Sequence, residues 1–303
     1  MAQPQHLRVH YSPFQSVTAN DSFSPSAGKP ELLVQQLENT PSVSITANWL
    51  PLTPEELSLS HDPDFVSDIL SCRKKNGFNN TSKLVADSLP YTNGSFYSAA
   101  VDALTRNTAT MSPTSGFHHA GYRTAHGFCT FNGLTVAACL LKKNHLVESV
   151  GIIDLDAHWG DGTVDVIDQL GKLGLGSRLP AIEHMSFGNA VFYMTDGDFR
   201  TAPHTVINFD DWLSTLGDSI RRQFAKSDIL FYQAGVDSHI NDPLGQCLTT
   251  SQMSQRDDVV FSVAKEMGKP VVWNLAGGYQ TPIQVVLDLH HTTVRSCLQN
   301  YLK

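Results

Sequence analysis

The chain has 303 residues, 41% of them apolar and 17% charged, with a formal net charge of −8 before its 13 histidines are counted. That length suits one large α/β domain, and that composition excludes a disordered or fibrous chain. The acidic balance argues against a general grip on nucleic acid, which needs a basic face, and is compatible with a cationic substrate.

Five scattered cysteines (Cys72, Cys129, Cys139, Cys247 and Cys297) form no CxxC pair, so they read as reduced thiols and not as a disulfide framework. The N-terminal run MAQPQHLRVHYSPF has no apolar core of a signal peptide, and no stretch of about 18 apolar residues exists for a spanning helix. The expectation is a cytoplasmic protein without membrane contact. Residues 1–303 read as one domain, with 1–8 as a loose N-terminal end; oligomeric state is not legible.

In chain order, Ser22–Lys29 reads as a loop, and Thr53-Pro54-Glu55-Glu56 reads as a helix start with an N-cap, a proline at the first helical position and a capping glutamate. Asn76–Ser82 reads as a second surface loop. Asn132–Lys143 is a helix candidate. Ser149–Leu155 (SVGIIDL), Ile229–Ala234 (ILFYQA) and Pro270–Leu275 (PVVWNL) are short apolar runs of the kind found in buried parallel strands. Ser251–Met267 reads as a helix stopped by Gly268 and Pro270, and Pro282–Leu302 as the last helix. Strands alternating with helices imply a mainly parallel sheet covered on both faces, with ligands bound beyond the carboxyl ends of the strands.

Four segments at such positions carry candidate chemistry. Asp154, Asp156 and His158 follow the run SVGII at a spacing of two, which puts them on one side if the strand continues. Three ionisable groups on one buried face are costly without a ligand, and a divalent metal removes that cost. Asp237, after the run ILFYQA, reads as a third ligand or as a helix cap. His118 and His119, adjacent in a loop, read as a base and an acid near a bound water or as two surface histidines. Gly277-Gly278-Tyr279 offers a close backbone approach and a hydroxyl for a developing oxyanion, or an ordinary turn. The pair His290-His291 sits in a helical stretch near none of these and reads as structural.

In this order, GFHHAGYRTAHGFCTFN (Gly116–Asn132), DLDAHWGDG (Asp154–Gly162), QAGVDSHINDPLG (Gln233–Gly245) and LAGGY (Leu275–Tyr279) resemble the histone deacetylase family and its bacterial relatives, acetylpolyamine amidohydrolases among them. HYSPF (His10–Phe14) and HDPDFV (His61–Val66) look like further landmarks of it. The resemblance implies the three-layer α/β/α arginase/deacetylase fold with an eight-stranded, mainly parallel sheet. It implies one catalytic zinc on Asp156, His158 and Asp237, and a potassium ion on Asp154, Asp156, His158 and Ser186. It makes His118 and His119 the paired catalytic histidines, with Asp154 and Asp161 as their carboxylate partners, and gives Tyr279 the carbonyl. Gly127, Phe128, Tyr193, Leu244, Gly277 and Gly278 become substrate contacts, with Phe128 and Tyr193 as facing aromatic walls for a lysine stem.

The implied partner is an acylated amine, an acetyl-lysine peptide or a small molecule. Three positions depart from the family pattern. Trp159 stands where a second histidine is usual, at a position that is not a ligand. Ser88, in SLPYTNG (Ser88–Gly94), stands at the place of an acidic residue on a rim loop. Leu244 stands where some polyamine-selective relatives carry a glutamate, and a leucine cannot attract an ammonium. Two competing readings are an arginase-like ureohydrolase with two manganese ions, echoed by Asp156-Ala157-His158, and a silent scaffold that binds acyl-lysine without turnover.

Overall fold

A computed structural model describes residues 6–18, 22, 24–188 and 208–303. Short strands β1 (Leu7–His10), β2 (Val43–Thr46) and β3 (Ala109–Met111) occupy the first third, with helices α1 (Lys29–Leu37), α2 (Pro54–Leu57), α3 (Pro63–Leu70) and α4 (Lys83–Arg106) between them. Strict alternation begins with α5 (Gly133–Lys143), followed by β4 (Ser149–Asp154), α6 (Asp161–Lys172), β5 (Ala181–Ser186) and α7 (Phe209–Gln223). It ends with β6 (Ile229–Gln233), α8 (Thr250–Glu266), β7 (Val271–Asn274) and α9 (Ile283–Asn300). Among the described residues seven strands form one sheet in the order β2-β1-β3-β7-β6-β4-β5, and every pairing is parallel.

The apolar runs explain both layers. In a strand, successive side chains point to opposite faces. Val150 and Ile152 of β4, Ile229 and Phe231 of β6 and Val272 of β7 pack on one side with Phe96, Ala99 and Ala103 of α4 and Leu134, Ala137 and Leu141 of α5. Ile153, Leu230, Tyr232, Val271 and Trp273 face the other way, into a core shared with α1, α7, α8 and α9. Strands buried on both faces need continuous apolar sequence, which is what these runs supply.

Local signals set several helix starts. Thr53 accepts from Glu56 N–H while the Glu56 carboxylate accepts from Thr53 N–H, and Thr249 with Gln252 does the same for α8. Asn132 caps α5 through Thr135 N–H. His61 tethers that cap: its ring takes the Asn132 N–H at one nitrogen and bonds the Gly121 carbonyl at the other, and burial holds its pKa down to about 4.

The segment Ser88–Gly94 is not a rim loop. It lies inside the 24-residue helix α4, with Pro90 in the helix interior. Ser88 is buried, its hydroxyl donating to Val85 O. The turn-forming composition of PYTNG is overridden because the buried side chains around it pack along one helix, and tertiary packing outweighs local propensity. The strand β4 also stops at Asp154, so Asp156 and His158 sit in the turn beyond it and not on a continued strand. His290 is buried within α9, while His291 reaches Gln36.

Ile153 is fully buried on β4, between β6 and β5. Ile153→Ala is expected to lower the unfolding free energy by about 2–5 kcal/mol, read from the urea midpoint at unchanged slope. A loss under ~1 kcal/mol would mean the strand is not packed as described.

Candidate metal and catalytic site

β3, β7, β6 and β4 are neighbours in the sheet, and all run the same way. The segments that follow them therefore emerge side by side at one edge. His118 and His119 follow β3, Gly277 to Tyr279 follow β7, Asp237 follows β6, and Asp156 and His158 follow β4. The four segments singled out in the sequence meet in one place for this reason.

The donor atoms of Asp156, His158 and Asp237 all lie within 4.8 Å of one another, and all three residues are buried. His158 Nδ1 is 3.1 Å from Asp156 Oδ1 and 2.9 Å from Asp237 Oδ2. Backbone amides fix the carboxylates. Asp156 accepts from His158 N–H and Gly277 N–H, at 3.0 and 2.9 Å, and Asp237 accepts from Ala157 N–H at 3.0 Å. Burial, then the Asp156 carboxylate beside it, push Asp237 up to about 7. Two acids around one imidazole thus lack one positive charge, and a cation would supply it. Two oxygens and one nitrogen form a set suited to zinc, and three protein ligands leave a position open. The residues fit the ion.

Gly277 is dictated by this packing. A Cβ there would stand 2.2 Å from Asp237 Oδ2 and 2.8 Å from Asp156 Oδ2. Gly127 sits at φ +55°, and a Cβ on it would fall 2.4 Å from the His119 ring.

The paired histidines are held alike but charged differently. His118 Nδ1 donates to Asp154 Oδ2 at 2.8 Å and His119 Nδ1 to Asp161 Oδ1 at 2.6 Å. Burial opposes charge on His118, but the Asp154 and Asp156 carboxylates outweigh it and raise the ring to about 9. Burial, reinforced by His118, lowers His119 to about 4. Asp161 is held far below the usual carboxylate range, because bonds from His119 and His126 outweigh its burial. His126 Nε2 lies 3.2 Å from Asp161 Oδ2. His119, His126 and Asp161 are a second group whose donor atoms approach within 4.8 Å, but here each carboxylate oxygen takes one ring.

Tyr279 stacks its ring 5.5 Å from Phe128, which is flanked on another side by Phe78 at 5.8 Å. Burial, then the charges of Asp237 and Asp156, push the Tyr279 hydroxyl well above its ordinary value, so it stays protonated. Asp242 accepts from Tyr279 N–H and Leu244 N–H, at 2.8 and 3.0 Å, which places Leu244 in the same turn. Asp154 and Ser186 are register partners on β4 and β5, so their oxygens stand at one end of the sheet; oxygen donors suit a potassium ion. Gly278 follows Gly277 at φ +150°. Tyr193 lies outside the described residues.

Sequence reading missed several supports. The fully buried Lys29 donates to Ala276 O at 2.7 Å, behind the Gly277-Gly278 turn. Arg256, also fully buried, donates to Leu155 O at 3.1 Å, Gly235 O at 2.8 Å and Ser238 Oγ at 2.9 Å, clamping both ligand-bearing turns. Phe78 lay in a stretch read only as surface loop. His126 stood inside a quoted motif but had no role. No spacing marks Lys29 or Arg256, because their partners are backbone carbonyls far away in the chain.

The histone deacetylase domain matches residues 26–178 and 204–294 of the chain. An uncharacterized protein of Picosynechococcus sp. is 26% identical over 270 residues, covering 84% of this chain and 85% of that protein. Histone deacetylase 2 of Arabidopsis thaliana is 28% identical over 179 residues, covering 57% of this chain and 45% of that protein, so the chain spans under half of this relative. The crystal structure of the HDA15 HD domain superposes with a TM-score of 0.77 at 18% identity, covering 98% of this chain and 90% of that one. It shares the fold. No described helix is long and apolar enough to cross a membrane.

Two outcomes test the site. Gly277→Ala drives a methyl group into the Asp237 carboxylate, so zinc bound per chain, measured by elemental analysis after dialysis, should fall well below that of the parent; equal content would refute the close approach. Lys29 is lowered from 10.5 to about 8, chiefly by burial. The unfolded chain then binds more protons between those values, so stability rises with pH across pH 8–10.5. Relative to Lys29→Met, the zinc-free chain should gain on the order of 3 kcal/mol there by chemical denaturation. Parallel pH curves would show that Lys29 keeps its ordinary pKa in the fold. By its matched domain, the chain belongs to the histone deacetylase family.

Proposed function

We propose that the chain hydrolyses the amide of an acylated amine of the acyl-lysine kind, as a zinc-dependent deacylase. The observation that carries this reading is the meeting of two carboxylates and one imidazole beside two carboxylate-held histidines. Bound there by Asp156, His158 and Asp237, zinc supplies Lewis acidity toward water and the amide carbonyl.

The chain's own groups divide the remaining work. His119 has the properties of the general base. Its Nδ1 proton is donated to Asp161 and burial keeps its ring neutral at pH 7, so Nε2 is the atom to take the proton of the attacking water. His118 holds its proton more tightly and returns it to the leaving amine. Asp154 and Asp161 fix each tautomer and orient each ring. Tyr279, protonated, donates to the oxygen on which negative charge develops. Phe128 forms a wall against which the methylenes of a lysine stem pack. A potassium ion on Asp154, Asp156, His158 and Ser186 would brace the ligand turn.

Leu244 itself cannot attract a second ammonium, the neighbouring Asp242 is buried and spent on the amides of Leu244 and Tyr279, and Ser88 is spent inside α4. These points favour a substrate recognised by its acyl-amine end over one gripped at the rim. We place this chemistry in a soluble compartment such as the cytoplasm.

The test is turnover of an acyl-lysine panel by zinc-loaded protein and its Tyr279→Phe variant. Loss of this donor should lower kcat by about 100- to 1000-fold at unchanged zinc content. One zinc per chain is expected. Two manganese ions per chain with urea release would establish the ureohydrolase reading instead, and binding without turnover on every acyl amide would establish a silent scaffold.

A further inference from the structure

Asp161, the first residue of α6, is shared by two imidazoles. Oδ1 takes the Nδ1 proton of His119 at 2.6 Å, and Oδ2 faces His126 Nε2 at 3.2 Å. The two rings stand 5.3 Å apart at 34°. We propose that His126 is a positioning residue for the reaction, fixing the Asp161 carboxylate at its second oxygen and through it the ring of His119.

The argument is one of geometry. An aspartate χ2 torsion is broad and roughly two-fold, so a carboxylate anchored at one oxygen can swing about Cβ–Cγ. A donor on the other oxygen fixes the plane. The ring bonded to the first oxygen then points its Nε2 in one direction, and productive orientation tolerates only about 10–20°. His126 is well placed to hold its end. Its carbonyl accepts from Cys129 N–H at 2.9 Å, and the following turn is tied to the Asn76–Asn80 loop by Phe128 N–H donating to Gly77 O at 3.0 Å. The turn that carries the aromatic wall Phe128 therefore also carries the support for the base, so wall and base keep register. The His126 side chain is 42% exposed, so replacing it opens no core cavity.

This inference rests on the deacylase reading for its kinetic consequence but not for its structural one. Two measurements on the zinc-loaded protein separate them. In imidazole-labelled NMR spectra, the His119 Nδ1–H resonance, assigned by its absence in His119→Gln, should move in His126→Ala and return in His126→Gln. The Gln amide nitrogen replaces the imidazole Nε2 donor. With an acyl-lysine substrate, His126→Ala should lower kcat about tenfold with KM unchanged, and His126→Gln should restore it. An unmoved resonance overturns the proposal, as does an unchanged kcat or a change confined to KM. Should the parent hydrolyse no acyl amine, the deacylase reading fails while the resonance still decides the role of His126.

Discussion

Two buried carboxylates meet one buried imidazole, and the rest of the site is arranged so that they can. Left alone, Asp156 and Asp237 repel each other in a place that water does not reach, and removing a carboxylate from water costs several kcal/mol unless it is paired. The fold answers with backbone. Amides of Ala157, His158 and Gly277 aim at the two acids, fixed dipoles that need no rearrangement when a cation binds. The amide of Gly277 can come this close only because its residue has no side chain. Preorganisation of this kind defines the position of an ion before the ion arrives.

Farther out, cations complete the balance. Lys29 and Arg256 are both fully buried, and both donate to carbonyls of the turns that bear the ligands or the tyrosine. A guanidinium reaching Leu155 O and Gly235 O at once couples the turn after β4 to the turn after β6. One nitrogen, Nη1, makes both bonds, while Nε is held by the Asp257 carboxylate at 2.8 Å. The turns that bear Asp156 and Asp237 are thereby tied to each other through a side chain of α8.

The legible part of the chain was the part with short-range rules. Apolar runs gave β4, β6 and β7 within a residue or two, and the capping residues Thr53 and Glu56 gave the start of α2. Asp156, His158 and Asp237 were readable because each stands just past an apolar run that forms a strand of the parallel sheet, while His118 and His119 stood out as an adjacent pair within a motif. What was not readable depended on distant partners. Strands β1 and β3 are 4 and 3 residues long and carry too little pattern to stand out. Ser88–Gly94 has turn composition yet is helical, since its neighbours in α4 bury one continuous face. Asp154 and Asp156 were expected on one continued strand, but their juxtaposition arises in a turn, where Asp154 Oδ1 accepts from Asp156 N–H at 3.3 Å.

The paired histidines His118 and His119 show how environment and not residue type sets the charge on a ring. They are adjacent in sequence, 4.0 Å apart ring to ring, and both donate to a carboxylate. Asp154 is fully buried and sits beside Asp156, so His118 lies in a concentrated negative field and keeps its proton. Asp161 opens α6, with its side chain 27% exposed, and also serves His126. Its hold on a proton at His119 is correspondingly diluted, and the charge on His118 weakens it further. Burial first, and then the charge on the neighbouring ring, keeps His119 neutral. Two identical side chains thus differ in charge, and the asymmetry comes from which carboxylate stands nearer Asp156.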